Sequence, residues 1–164
     1  MSSPPVERLA VIGCGLIGSS VVRAAVAKNA AASIAVYDPN PQVRARVIEL
    51  GIADEVFDRA DEAVRGADLI IFAAPPAAIG EAVRLAAPGM KSGAILSDVG
   101  SVKGAVAEAM VASAPDGVFV IPGHPIAGTE YSGPDAGFAT LFEGDGRFFV
   151  RWRTIPTIWP PSGP

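Results

Sequence analysis

The sole histidine of this 164-residue chain, His124, lies in Gly123-His124-Pro125-Ile126-Ala127-Gly128-Thr129-Glu130. A stretch so rich in glycine and proline reads as a loop. An imidazole, with an ordinary pKa of about 6.5, can accept a proton near neutral pH. Far upstream, Gly13-Cys14-Gly15-Leu16-Ile17-Gly18 has the G-x-G-x-x-G spacing of a turn that holds a dinucleotide. Each position has its own task. Gly13 permits the tight turn, Gly15 lets a pyrophosphate approach the backbone, and Gly18 allows a helix to pack closely on a strand. Leu16 and Ile17 open that helix, whose free N–H groups and partial positive charge suit the phosphates. A dinucleotide turn and a candidate base together point to a dehydrogenase acting on a small molecule.

Asp38 stands 20 residues beyond Gly18, at the end of the second apolar run. There a carboxylate can accept hydrogen bonds from both ribose hydroxyls and repel a 2′-phosphate. The next residues, Pro39-Asn40-Pro41-Gln42, include no arginine, so NAD is expected over NADP. Arg44 and Arg46, a helical turn further on, keep NADP open. Two plainer readings also stand: the glycines could mark a tight turn that binds nothing, and Asp38 could cap the following helix. Cys14 reads as a small filler rather than a nucleophile. No metal site is expected.

These residues need a scaffold, and the chain alternates accordingly. Leu9–Ile12 reads as a buried strand and Leu16–Lys28 as a helix. Ser33–Tyr37 is a second strand, and Pro41 suits the first turn of a helix that stops at Gly51. Strands follow near Glu55–Phe57, Asp68–Ala73, Ala94–Asp98 and Val118–Ile121, with helices near Asp61–Val64, Pro76–Ala87 and Val102–Ser113. Short apolar strands alternating with helices predict an α/β fold of the Rossmann type, a doubly wound, mainly parallel sheet. We expect this dinucleotide-binding domain to cover residues 6–153. An irregular proline-rich tail is expected over 154–164, since both tryptophans and four prolines fall in the last 13 residues.

Bulk properties narrow the class. Half the residues are hydrophobic and the mean hydropathy is +0.39. Even so, no stretch reaches the roughly 18 uninterrupted apolar residues of a membrane span. The N-terminus has no basic region followed by an apolar one, so no secretory signal is expected. A single cysteine excludes an internal disulfide and fits a reducing, cytoplasmic setting. A net charge of −4 argues against nucleic acid as a partner.

Beyond the glycine turn, Asp98-Val99-Gly100-Ser101-Val102-Lys103, then Gly123 to Gly133, then Leu141-Phe142-Glu143-Gly144 occur in an order and spacing that closely resembles the nucleotide-binding half of the prephenate/arogenate (cyclohexadienyl) dehydrogenases. The resemblance covers roughly residues 6 to 147. It implies NAD-dependent oxidative decarboxylation of prephenate, or of arogenate, in tyrosine biosynthesis. By resemblance, His124 takes the proton of the ring hydroxyl, and Ser101 orients that hydroxyl near the nicotinamide. Pro75 matches a position lining the cofactor pocket. On its own chemistry Ser101 is equally a helix N-cap, and Lys103 is a solvated first-turn residue or a screen for a substrate carboxylate. Glu130 is expected to hold the loop rather than to react.

The family pattern continues with a strand and a helical C-terminal domain that makes the homodimer and supplies basic residues for the substrate's carboxylates. We expect that domain to be missing here, the composition after Asp145 suggesting an early stop or a shifted frame. The oligomeric state of the chain itself is left open. The 164 residues are therefore expected to bind NAD and to turn over prephenate slowly or not at all. The other readings are a β-hydroxyacid-type Rossmann dehydrogenase and a non-catalytic NAD-binding module.

Overall fold

The computed structural model describes residues 3–100, 103–123 and 132–143. Six strands make one sheet: β1 (Val6–Ile12), β2 (Ala31–Tyr37), β3 (Glu55–Phe57), β4 (Leu69–Phe72), β5 (Ile95–Asp98) and β6 (Phe119–Val120). Their spatial order is β3-β2-β1-β4-β5-β6, and every neighbouring pair runs parallel. This is the doubly wound order whose direction of growth reverses between β1 and β4, leaving a crevice above their C-terminal ends.

Why the strands read as unbroken apolar runs is plain from burial. Leu9 to Ile12 are all buried, because a parallel strand is covered on both faces. The period of two sorts them. Ala10 and Ile12 join Ile70, Phe72 and Leu96 under α3 (Ala60–Ala63), α4 (Ile79–Ala86) and α5 (Lys103–Ser113). Leu9 and Val11 join Ile34 and Val36 under α1 (Leu16–Ala27) and α2 (Pro41–Leu50). Each fully buried aliphatic or aromatic side chain contributes about 1.5–3 kcal/mol through burial.

Local signals set the ends. The Asn40 side chain accepts from the Gln42 N–H (2.9 Å), Pro41 occupies the first turn of α2, and Gly51 closes it at φ 60°. Asn40, not Asp38, is therefore the cap of this helix. The helix expected over Pro76–Ala87 opens instead as a 3₁₀ turn at Pro76–Ala78, with α4 proper starting at Ile79. Consecutive prolines lack the N–H groups a regular start would use, and the Ala78 N–H bonds the Pro75 carbonyl three residues back (2.8 Å). The last strand is shorter than expected, although the Ile121 N–H still reaches the Leu96 carbonyl (2.8 Å).

Residues 132–143 lie over the other face of the sheet, against α1 and α2. They form a strap on α1 and α2. Arg23 donates to the Pro134 carbonyl (3.0 Å), and the Phe138 N–H to Ser20 Oγ (3.1 Å). Arg46 grips Asp135 through Nε (2.9 Å) and Nη2 (2.6 Å), and Lys28 pairs with Glu143 (2.8 Å). Phe142 packs against the α1–α2 core.

Candidate functional site

The C-terminal ends of the strands bring Gly13, Asp38, Ala73 to Pro75 and Asp98 to one edge of the sheet, with Gly123 at the end of the segment after β6. Backbone bonds continue the ladder past the strand ends: the Gly13 N–H donates to the Tyr37 carbonyl (2.8 Å) and the Ala73 N–H to the Ile12 carbonyl (2.7 Å). The glycine turn thus sits beside the exit of β4, at the point where the sheet reverses.

The three glycines differ in what requires them. Gly13 has φ +93°, and a Cβ there would lie 2.6 Å from the Ala73 carbonyl oxygen. A Cβ on Gly18 would overlap the Gly13 carbonyl. Both are demanded by the fold itself. Gly15 is not: its φ is −77°, and a Cβ there would meet no protein atom within 4 Å. Open space where the pyrophosphate approaches in the G-x-G-x-x-G arrangement is a cradle that a side chain would fill. Half-buried Leu16 and Ile17 start α1, and neither a capping side chain nor an acidic residue occupies that first turn. A 12-residue helix with an uncapped, acid-free N-terminus offers its N–H groups and dipole to an anion. These residues fit a dinucleotide.

Asp38 is 9% exposed. Its Oδ2 accepts from the Cys14 N–H (2.8 Å) and its Oδ1 from the Asn40 N–H (2.9 Å). The carboxylate is thereby fixed against the glycine turn, with lone pairs to spare. Arg44 folds back on the same strand end, its Nη1 donating to the Asp38 carbonyl (2.7 Å). Arg46 is held by Asp135 and Glu49 instead. Cys14 is fully buried, and its thiol is pushed up to about 12, first by burial and then by the Asp38 carboxylate. A thiol so protonated is a poor nucleophile. Pro75 is exposed on the rim after β4, where it introduces the 3₁₀ turn.

Ser101 and His124 lie outside the described residues, as do Glu130 and the proline-rich tail. Gly100 and Gly123, which precede Ser101 and His124 in sequence, are described. Asp98, at the end of β5 and 1% exposed, accepts from the Gly100 N–H through Oδ2 (2.7 Å) and from the Gly123 N–H through Oδ1 (3.1 Å). Nothing local in the sequence signals this bridge, because the second partner of Asp98 is 25 residues away. Among the described residues, no group of three or more His, Cys, Asp or Glu side chains could hold a metal ion, and no helix is long and apolar enough to cross a membrane.

Known proteins agree with this geometry. The family described as prephenate dehydrogenase, nucleotide-binding domain, matches residues 22–149. A cyclohexadienyl dehydrogenase of Zymomonas mobilis is 42% identical over 137 residues, which make up 84% of this chain and 46% of that protein. The crystal structure of prephenate dehydrogenase from A. aeolicus, in complex with hydroxyphenyl propionate and NAD+, superimposes with a TM-score of 0.77 at 26% identity, covering 87% of this chain and 50% of that one. A Synechocystis arogenate dehydrogenase follows at TM-score 0.73 and 27% identity, covering 82% and 46%. The chain spans about half the length of the relatives it matches. These matches do not favour a β-hydroxyacid-type dehydrogenase.

Proposed function

The chain belongs to the family of prephenate dehydrogenase nucleotide-binding domains, and from that premise we propose that it is the cofactor-binding half of an NAD-dependent enzyme that oxidatively decarboxylates prephenate or arogenate on the route to tyrosine. The observation that carries this reading is the open space at Gly15 beside the uncapped start of α1. The A. aeolicus relative, whose structure holds NAD+, supports the same cofactor.

NAD, when bound by these residues, would supply the hydride acceptor for oxidation of the ring carbon that carries the hydroxyl. The chain's own residues do the rest. Gly13, Gly15, Leu16, Ile17 and Gly18 hold the pyrophosphate, Asp38 holds the ribose, and Pro75 lines the pocket after β4. His124 takes the proton of the ring hydroxyl, and Ser101 orients that hydroxyl. Loss of the ring carboxylate as CO2 leaves an aromatic product. A positioned base of this kind is worth about a hundred- to ten-thousand-fold in rate. The buried, lone Cys14 supports a reducing, cytoplasmic location.

Calorimetric titration of residues 1–164 with NAD, and separately with NADP, tests the reading. Saturable binding that prefers NAD is expected; binding of neither overturns it. Prephenate-dependent NADH formation by the same protein is expected to be slow or absent, because Lys103 and helix N-termini are thin provision for a dianion. Brisk turnover would show that the substrate's carboxylates are gripped from within these residues.

A further inference from the structure

We propose that Arg44 sets cofactor choice: one edge of its guanidinium binds a 2′-phosphate, so that NADP is accepted as a second, weaker cofactor beside NAD. The inference rests on the functional reading above, which places a dinucleotide at this edge of the sheet. Its own support is how the structure separates the two arginines of α2. Arg46 is spent, with its Nε and Nη2 on Asp135 and its Nη1 on Glu49. Arg44 is not. Its Nη1 donates to the carbonyls of Asp38 (2.7 Å) and Pro39 (3.3 Å), and its Nε and Nη2 take no partner among the described residues. Neither of those two nitrogens is buried, so both are open to solvent.

That edge is the one that grips anions. The Nε–H and the Nη2–H beside it point the same way and match two oxygens of one carboxylate or phosphate. Three other arginines of this chain use it on a carboxylate: Arg46 on Asp135, Arg59 on Asp61 and Arg84 on Glu81. Arg44 presents the same edge beside Asp38, the residue read above as the ribose contact. It is also held still. The carbonyls that anchor Nη1 belong to a turn stiffened by Pro39 and Pro41 and closed by the Asn40 cap. Asp38 counts against a 2′-phosphate, but it is only 9% exposed and each of its oxygens already accepts a backbone N–H. Those two N–H dipoles blunt its negative field. One screened carboxylate and one guanidinium without an acidic partner among the described residues therefore meet the ribose, and the preference for NAD is modest instead of absolute.

Calorimetric titration of NAD and of NADP into the unsubstituted chain, Arg44→Gln and Arg44→Lys tests this. The unsubstituted chain is expected to saturate with both, NADP the weaker. Arg44→Gln keeps an N–H donor for the two carbonyls and removes the charge. It is expected to weaken NADP about ten- to a hundredfold, the worth of hydrogen bonds to a charged group, and to leave NAD unchanged. Arg44→Lys, which keeps the charge without the fork, is expected to fall between. Ionic strength adds a readout that a merely structural role would not move. Affinity for NADP should fall more steeply with salt in the unsubstituted chain than in Arg44→Gln, while the two share one slope for NAD. A chain that binds NAD but not NADP overturns the proposal with no variant needed, even if Arg44→Gln fails to fold. So does an equal loss of both nucleotides in Arg44→Gln, which would make Arg44 a prop for the turn or a contact for the adenine. Failure of the unsubstituted chain to bind either nucleotide sinks the functional reading itself, and this inference with it.

Discussion

Asp38 accepts two backbone N–H bonds before any ligand arrives, from Cys14 and Asn40. Ribose recognition and the shape of the glycine turn are therefore coupled through one carboxylate. Asp38→Asn sets an amide N–H against one of those donors, and a buried donor left unmet costs about 1–3 kcal/mol. Affinity for NAD is expected to fall about ten- to a hundredfold, and the preference over NADP to narrow because the anionic charge is gone and Arg44 remains at the strand end. Unchanged calorimetric constants for both nucleotides would remove Asp38 from the site. Cys14 gives a second prediction. Its folded thiol titrates at about 12 against an ordinary 9.0, so above pH 9 the unfolded chain releases a proton that the folded chain keeps. Its contribution is whole below pH 9 and is lost as pH rises towards 12, at about 1.4 kcal/mol per unit. Urea midpoints should fall more steeply from pH 9 to 11 for the unsubstituted chain than for Cys14→Ala; parallel slopes would mean that the thiol is not so buried.

At the scale of elements, two described segments, the one ending at Gly123 and the strap 132–143, are fastened to the sheet and its helices. Asp98 holds Gly123, and the strap is seated on α1 and α2 by packing and by charge. These two kinds of tether should fail differently. Gly137 lies so close to α1 that a Cβ would overlap Ser19 Oγ, and overpacking of that sort typically costs about 1–3 kcal/mol. Arg46 and Asp135 are exposed, the guanidinium holding the carboxyl below its usual range. Such a pair is weak and screened by salt. Gly137→Ala is expected to lower the urea midpoint at any ionic strength, and Arg46→Ala to lower it less and only at low salt. The reverse order would make charge the main fastening. None of this strap could be read from the sequence, because Arg46 and Asp135 are 89 residues apart. The strands and most helices could, since their apolar runs and the punctuation of Pro41 and Gly51 are local. The glycine turn and Asp38 were legible for the same reason, whereas the bridging role of Asp98 depends on β5 and β6 being neighbours.

For the molecule as a whole, the sheet's two cores fix where the strands end, and the strand ends fix the edge at which a dinucleotide can lie. Stability and binding then separate cleanly at the three glycines. Gly13 and Gly18 are needed by the protein's own packing, so replacing either costs folding energy whether or not a nucleotide is present. A Cβ on Gly15 would touch no protein atom, and Gly15 is the N-cap residue of α1 with no side chain to cap it. Serine is at least as good an N-cap as glycine, by a few tenths of a kcal/mol. Gly15→Ser should therefore melt at or slightly above the temperature of the unsubstituted chain when no nucleotide is present. With NAD at a hundred times its Kd the unsubstituted chain gains about 2.7 kcal/mol by mass action, a rise of roughly 5–11 °C for a domain of this size. Gly15→Ser should lose that rise, since its Cβ fills the cradle and its hydroxyl takes an N–H that the pyrophosphate would use. Thermal melts with and without NAD read both effects. A Gly15→Ser chain that is still stabilised by NAD would mean that the nucleotide does not cross the start of α1, and the open space there would need another occupant.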